Sequence, residues 1–266
     1  MPPSPALPGP LARYGPWAVV AGASEGLGAA FAEALAAQGL HLILLARRAD
    51  LLEAFAQRLR AARGVEVRTL ACDLGDAAFT DRLGEELAGR EVGVAVYNAA
   101  YSFLAPLLAR PLEESLRVVD VNIRGTLRFV HAVVPPMVAR RRGALVLMSS
   151  VAGFQGVPRL AAYSSSKAFL TTLAEGLWAE LGPQGVDVVA CCAGAIRTPG
   201  YAQALRKEAP GTLDAAEVAE AALRALGSGP VVVPGAVNKL ATFFLRRLAT
   251  RRRAISILGG SVAGLE

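Results

Sequence analysis

Apolar runs of about five to seven residues alternate with amphipathic or alanine-rich stretches from residue 17 almost to the end of the chain. The runs are apolar throughout, which is typical of strands buried on both faces of a parallel sheet. They predict strands at 17–21, 40–45, 65–71, 92–97, 144–149, 186–191 and 230–233. The stretches between them predict helices at 26–39, 50–63, 77–88, 163–181 and 217–226, with further helix within 112–140. This alternation predicts a doubly wound α/β fold.

Composition limits the number of domains and the compartment. The chain has 266 residues, of which 53% are hydrophobic and 19% charged, enough for one large core. Residues 1–14 are proline-rich and predict a flexible arm, and residues 15–266 predict a single domain. No apolar run reaches the roughly 18–20 residues of a membrane helix, and the start lacks a signal-peptide pattern. The three cysteines have no metal-ligand spacing, so we expect no metal site, free buried thiols and a cytoplasmic location.

The net charge of +6 is concentrated in arginine clusters at 140–142 and at 246–253. Neither cluster is interleaved with stacking aromatic residues, so a nucleic-acid partner is not expected. The second cluster belongs to a segment, 238–254, that predicts a basic amphipathic helix. That helix could cover a pocket, pack on another subunit or lie on a membrane surface, and ordinary packing is the expectation.

A glycine-rich turn follows the first strand. Gly22, Gly26 and Gly28 lie between that strand and the first helix, where a phosphate-binding turn needs a tight bend and a helix N-terminus. This context predicts a dinucleotide site of the Rossmann type. The second strand ends at Arg47 and Arg48, where an NAD-binding chain would carry an acid, and a guanidinium suits the 2′-phosphate of NADP. The sequence therefore predicts NADP(H) as the cofactor.

Tyr163 and Lys167 are four residues apart, with Ser150 thirteen residues before the tyrosine. On a helix this spacing puts phenol and ammonium on one face. We expect the cation to lower the phenol pKa from about 10 and to make Tyr163 an acid–base group. Ser150, at the end of a strand, could hold a substrate oxygen against that phenol.

Together these motifs resemble the classical short-chain dehydrogenase/reductases from about residue 15 to 235. Further matches are Asp73, Asn98 and Asn122, while Ala100 and Ala193 replace a glycine and a proline of the family pattern. The resemblance implies a catalytic tetrad of Asn122, Ser150, Tyr163 and Lys167. It also implies cofactor contacts from Gly22, Ser24, Glu25, Gly26, Leu27, Gly28, Arg47, Arg48, Asp73, Leu74, Asn98, Ala99, Ala100, Tyr163, Lys167, Gly194, Ile196 and Thr198.

By the same resemblance, Tyr163 exchanges a proton with a carbonyl oxygen, Lys167 binds the nicotinamide ribose and Asn122 holds a water behind Lys167. The reaction would interconvert a ketone and a secondary alcohol. The helices within 112–140 and 163–181 would pair in a homodimer or homotetramer. The chain looks similar to the branch of 17β-hydroxysteroid dehydrogenases and long-chain 3-ketoacyl reductases.

The substrate is expected to be a hydrophobic ketone, such as a steroid, an acyl chain or an aryl ketone. The candidate substrate residues are largely apolar: Tyr101, Phe103, Phe154, Val157, Tyr201 and Leu205. Three alternatives stay open. They are a 3-ketoacyl carrier-protein or CoA reductase, a non-catalytic NADP-binding regulator, and a nucleotide-sugar epimerase or dehydratase of the extended branch.

Overall fold

A seven-stranded parallel sheet forms the centre of the protein. The computed structural model describes residues 9–198 and 208–263, with side chains up to residue 260. The sheet strands are β1 (Trp17–Ala21), β2 (His41–Ala46), β3 (Val67–Ala71), β4 (Val92–Tyr97), β5 (Gly143–Ser150), β6 (Val186–Ala193) and β9 (Val231–Val232), in the order β3-β2-β1-β4-β5-β6-β9. A separate small sheet pairs β7 (Ile196–Arg197) with β8 (Leu213–Asp214). The predicted α/β fold with one doubly wound sheet is confirmed.

Helices cover both faces of the sheet. They are α1 (Gly26–Ala37), α2 (Ala49–Arg63), α3 (Phe79–Leu87), α4 (Leu112–Val119), α5 (Gly125–Ala139), α6 (Ala161–Leu181), α7 (Ala215–Arg224), α8 (Ala236–Arg247) and α9 (Arg251–Ala263). One core lies between the sheet and α1, α2 and α7, where Leu35 and Phe55 are buried. The other lies under α3, α5 and α6, around Leu83 and Phe129. Alternate residues of each strand enter opposite cores, which explains why the strands are apolar throughout.

The direction of winding reverses at β1, which pairs with β2 on one side and with β4 on the other. The loops leaving β1 and β4 therefore diverge to opposite faces of the sheet. In open α/β sheets, a ligand crevice forms at such a switch point, outside the carboxyl ends of the strands. The fold thus fixes the position of a site before any side chain is considered.

Two segments differ from the predicted helices. The region 112–140 is interrupted by a π-helical turn, Asp120–Arg124, between α4 and α5. The Tyr97 hydroxyl donates a 2.6 Å hydrogen bond to the Val121 carbonyl inside this turn. The segment 238–254 was predicted as one helix, and this is wrong, because the chain leaves helical conformation at 248–250 and starts α9 at Arg251. Thr250 caps the new helix, accepting from Arg253 N at 3.4 Å.

The predicted flexible arm, 1–14, is packed over its last residues. Pro10–Tyr14 forms a 3-10 turn in which Leu11 and Tyr14 are buried, and residues 1–8 lie outside the described part of the chain. The Tyr14 hydroxyl donates to Asp187 at 2.5 Å. Burial, followed by that hydrogen bond, raises the pKa of Tyr14 to about 12. Within the described residues, no helix has both the length and the apolar character required to cross a membrane.

Candidate active site

A cleft of about 710 Å³ opens at the switch point, within the range of ligand pockets. Its wall contains most of the residues predicted to bind a cofactor. These are Gly22, Ser24, Glu25, Gly26, Leu27, Arg47, Arg48, Asp73, Leu74, Asn98, Ala99, Ala100, Tyr163, Lys167, Gly194, Ile196 and Thr198. Ser150 and Tyr101 share the wall, whereas Gly28 and Asn122 lie outside its lining.

The glycine turn is packed too tightly for side chains. Gly22 and Gly26 have φ values of +84° and +58°, in the left-handed region that favours glycine. A Cβ on Gly28 would lie 1.9 Å from the Gly22 carbonyl oxygen. Asn98 donates to that same carbonyl at 3.0 Å and so ties the turn to the end of β4. The turn therefore presents bare backbone and the N-terminus of α1 to the cleft, as a pyrophosphate requires.

Two arginines stand at the outer end of this turn. Arg48 forms an ion pair with Glu25 at 2.6 Å and donates to the Ser24 hydroxyl at 3.3 Å. Arg47 is exposed on the cleft wall and makes no side-chain hydrogen bond or ion pair with any described residue. One guanidinium is thus fixed against the glycine turn, and its neighbour is available to a ligand.

Asp73 closes the cleft beyond the end of β3. Its carboxylate accepts from Gly75 N at 2.9 Å and forms an ion pair with Arg117 of α4. Partial burial raises the pKa of Asp73, but the hydrogen bonds and charge of Arg117, helped by Gly75, outweigh it and hold the pKa below its usual value. Asp73 is therefore a fixed anion at the edge of the site.

Ser150, Tyr163 and Lys167 line the same cleft, two strands away from the glycine turn in the sheet. Lys167 Nζ lies 5.5 Å from the centroid of the Tyr163 ring, so the predicted common face is confirmed. Lys167 is only 2% exposed, and its ammonium donates to the Met148 carbonyl at 2.7 Å. Ser150 Oγ donates to the Ala193 carbonyl at 3.3 Å and accepts from Ala152 N at 3.2 Å. A phenol, an ammonium and a hydroxyl thus converge where β5 and α6 meet.

The electrostatics of this triad differ from the expectation. Burial raises the pKa of the Tyr163 phenol, and a hydrogen bond from Ser150 opposes that rise only in part. Burial also lowers the pKa of Lys167 to about 8. The expectation that the ammonium lowers the phenol pKa is therefore not met in this structure, because burial raises that pKa and nothing from Lys167 offsets the rise.

Asn122 acts behind the triad from the π-helical turn. It is completely buried, and its amide donates to the Tyr101 carbonyl at 3.0 Å and to Ser166 Oγ at 2.9 Å. Its carbonyl oxygen accepts from Tyr101 N at 2.7 Å. Ser166 in turn donates to the Tyr163 carbonyl at 2.7 Å. Asn122 thus joins the loop after β4 to the helix that carries Tyr163.

The predicted substrate residues are only partly assembled. Tyr101 lines the cleft, whereas Phe103, Phe154 and Val157 do not. Phe154 lies instead under the guanidinium of Arg246, 4.4 Å from its ring centroid. Tyr201 and Leu205 lie outside the described residues.

Sequence reasoning missed several residues of the site. Asn238, at the start of α8, is buried and donates to the carbonyls of Gly211 and Pro234 at 3.0 and 3.1 Å. No hydrophobic pattern marks it, and only its place in the first turn of a predicted helix sets it apart. Missed residues of the cleft wall are Ala46, Cys72, Ser102, Val121, Met148, Ser149, Ala193 and Ala195.

The family model for short chain dehydrogenases matches residues 16–209, most of the chain. The chain therefore belongs to the short-chain dehydrogenase family. It is an oxidoreductase of a family that uses a nicotinamide cofactor, and the glycine turn and the triad fit that group.

Known relatives agree with this assignment. A very-long-chain 3-oxoacyl-CoA reductase of Podospora anserina is 41% identical over 191 residues, covering 68% of this chain and 56% of the relative. The chain thus matches little more than half the length of the curated relatives it resembles. A structure from work on 7β-hydroxysteroid dehydrogenase stereoselectivity superposes with a TM-score of 0.88 at 27% identity, covering 93% of this chain and 98% of the other. A short-chain dehydrogenase from Sphingobium yanoikuyae in complex with NADPH gives 0.76 at 30% identity, covering 94% of each chain.

Proposed function

We propose that the protein reduces a hydrophobic ketone to a secondary alcohol with NADPH. One observation carries this proposal. The Ser150–Tyr163–Lys167 cluster lines the same cleft as the glycine turn, two strands away from it in the sheet. A cofactor held by its pyrophosphate at the turn would extend toward the cluster, where a substrate carbonyl can meet both.

The residues of the chain supply the proton and the charge stabilisation. A bound reduced nicotinamide supplies the hydride that the carbonyl carbon accepts. Tyr163 donates its phenolic proton to the carbonyl oxygen, and its raised pKa keeps the phenol protonated at neutral pH. Ser150 donates a hydrogen bond to the same oxygen and stabilises the charge that develops there. Lys167 stabilises the phenolate left on Tyr163, and Asn122 positions the helix of both residues.

Two observations support NADPH over NADH. β2 ends at Ala46 and is followed by Arg47 and Arg48, with no acid to bind a ribose 2′-hydroxyl. Arg48 is held against the glycine turn by Glu25, while Arg47 faces the cleft without an ion pair among the described residues. This arrangement suits a 2′-phosphate, which accepts charge-assisted hydrogen bonds from guanidinium groups.

For the substrate, the first class to test is a 3-oxoacyl thioester with a long chain. The supporting observation is the 41% sequence identity with a very-long-chain 3-oxoacyl-CoA reductase. A steroid or aryl ketone stays open as well, since Tyr101 is the one predicted substrate side chain that the described residues place on the cleft wall. A ketoacyl carrier-protein reductase and a non-catalytic NADP-binding regulator are the alternatives.

The test is NADPH oxidation in the presence of long-chain 3-oxoacyl-CoA, 3-oxoacyl carrier protein, steroid ketones and aryl ketones. Tyr163→Phe should lower turnover about 10²- to 10⁴-fold, the usual contribution of a general acid, while NADPH still binds in a fluorescence titration. Ser165→Ala removes one hydroxyl from the exposed side of the same helix and is the matched control. Turnover by Tyr163→Phe within tenfold of the unmodified protein would show that the phenol is not the proton donor. NADPH binding without reduction of any ketone would favour the regulator.

A homo-oligomer and a cytoplasmic location stay predictions. Leu112 and Leu116 of α4 and Trp178 of α6 are exposed apolar side chains on the helices expected to pair. Sedimentation equilibrium tests the first prediction, and fractionation of cells producing the chain tests the second.

A further inference from the structure

The outer face of α8 is an exposed apolar stripe. It comprises Val237, Leu240, Phe243, Phe244 and Leu248, which are 55%, 71%, 57%, 50% and 67% exposed. The 237–240–244 spacing of three and four residues puts three of them on one side of the helix, and Leu248 follows just past its end. Ordinary packing within the chain, the expectation from sequence, therefore does not account for this face.

The inner side of α8 is anchored to the rest of the protein. Asn238 is buried and bonded to two carbonyls, and Arg246 stacks on Phe154. In α9, Gly259 lies against Pro158, since a Cβ built on it would be 3.1 Å from that ring. Both helices are thus held on the body of the molecule, so the outer face is presented on a fixed support.

The charge around the outer face has one sign. Residues 236–263 contain six cationic side chains and no acidic one. They are Lys239, Arg246, Arg247, Arg251, Arg252 and Arg253, of which Arg246 lies on the inner side against Phe154. Arg251–Arg253 open α9 three residues after Leu248, at the end of the apolar stripe, and all three are exposed. An apolar stripe bordered by arginines matches the layers of a membrane surface, where acyl chains lie beneath anionic head groups.

We propose that the outer face of α8, together with Arg251–Arg253, binds the surface of a bilayer that contains anionic phospholipid. Phe243, Phe244 and Leu240 would enter the boundary between head groups and acyl chains, with the arginines at the phosphates. A second copy of the chain fits this face less well. A two-fold contact between identical faces would bring arginines against arginines, with no acid in either segment to pair with them.

The experiment is co-sedimentation of the full chain with phosphatidylcholine vesicles and with equimolar phosphatidylcholine–phosphatidylglycerol vesicles. We expect binding to the anionic vesicles only. Replacing all three of Arg251–Arg253 with Gln should weaken it on the order of a hundredfold, because each arginine at an anionic surface contributes about fivefold. Phe243→Ser with Phe244→Ser should weaken it by at least about tenfold through lost apolar insertion. Both sets change exposed side chains, and circular dichroism verifies that the fold is retained.

The matched control replaces Arg58, Arg63 and Arg224 with Gln, which removes the same charge from exposed positions elsewhere on the surface. It should bind anionic vesicles like the unmodified chain. An equal loss of vesicle binding in this control would mean that net charge alone explains the effect, and it would overturn the proposed membrane site. The proposal also fails if neither vesicle sediments the chain. A second copy would be the occupant if the Phe243/Phe244 variant lowered the sedimentation coefficient without changing vesicle binding.

Discussion

Lys167 carries a cost to stability that varies with pH, and removing its ammonium should reveal that cost. The side chain is 2% exposed, and its ammonium has one described hydrogen-bond acceptor, the Met148 carbonyl. Burial lowers the pKa of Lys167 to about 8. Lys167→Met keeps a long unbranched side chain of similar volume and deletes the charge. The quantity to compare is the free energy of unfolding of the two proteins as a function of pH.

The sign follows from proton binding. Below about pH 8, Lys167 holds its proton in both the folded and the unfolded chain, and the full cost of burying the charge is present. Between about pH 8 and 10.5, the unfolded chain keeps a proton that the folded protein has released, so stability increases with pH. At about 1.4 kcal/mol per pH unit, a fall in pKa from 10.5 to about 8 corresponds to about 3 kcal/mol.

Urea unfolding followed by circular dichroism at intervals from pH 7 to pH 10 measures the difference. We expect the stability of the unmodified chain, relative to Lys167→Met, to increase by about 2–3 kcal/mol across this range. The lost bond to the Met148 carbonyl adds an offset that does not depend on pH, and titrating groups distant from Lys167 cancel between the two proteins. Lys239→Met, at an exposed lysine of α8, is the control. Parallel pH curves for the unmodified chain and Lys167→Met would refute the reasoning, because they would mean that the ammonium is not desolvated.

Two further predictions concern the cofactor end of the cleft. Arg47→Asp should lower kcat/KM for NADPH about 10- to 100-fold and leave kcat/KM for NADH nearly unchanged, because a charged hydrogen bond worth about 1.5–3 kcal/mol is lost. Steady-state kinetics with both cofactors measures the change, with Arg58→Asp at an exposed position as the control. Equal losses for both cofactors would contradict this prediction. Gly28→Ala would put a Cβ 1.9 Å from the Gly22 carbonyl oxygen. This variant should lower the free energy of unfolding by about 1–3 kcal/mol and should also weaken cofactor binding. The control is Gly84→Ala in α3, where a Cβ meets no atom within 4 Å, and it should leave stability unchanged or increase it in the same urea experiment. Similar losses of stability in both variants would exclude the steric explanation.

The sheet could be predicted closely because its strands are buried on both sides. β1 and β4 have the predicted bounds, since every residue in them is apolar or small and both faces require it. The start of α6 was placed two residues late, at Tyr163, because Ala161 and Ala162 carry no capping signal. The π-helical turn at 120–124 could not be placed either. It depends on the distant Tyr97 hydroxyl, which hydrogen-bonds inside the turn.

The residue types of the site were predictable, but their charge states were not. Spacing correctly put Tyr163 and Lys167 on one face, because helical geometry is local. Their pKa values depend on how much protein surrounds them, and burial is a property of the folded chain. The pairing of Arg48 with Glu25 has the same origin, since it joins residues brought together by the parallel pairing of β1 and β2.

Asn238 connects α8, which carries the proposed membrane-binding face, to the proposed active site. Its amide donates to the Gly211 carbonyl, and Gly194 lies so close that a Cβ there would be 2.7 Å from Asn238 Oδ1. Gly194 lines the cleft, and these two glycines bound residues 195–210 on either side. One buried side chain therefore contacts both ends of that segment, while the opposite face of the same helix carries the exposed apolar stripe. Asn238 thus holds the helix with the exposed apolar stripe directly against Gly194 of the cleft wall, because the contact between the two residues is direct.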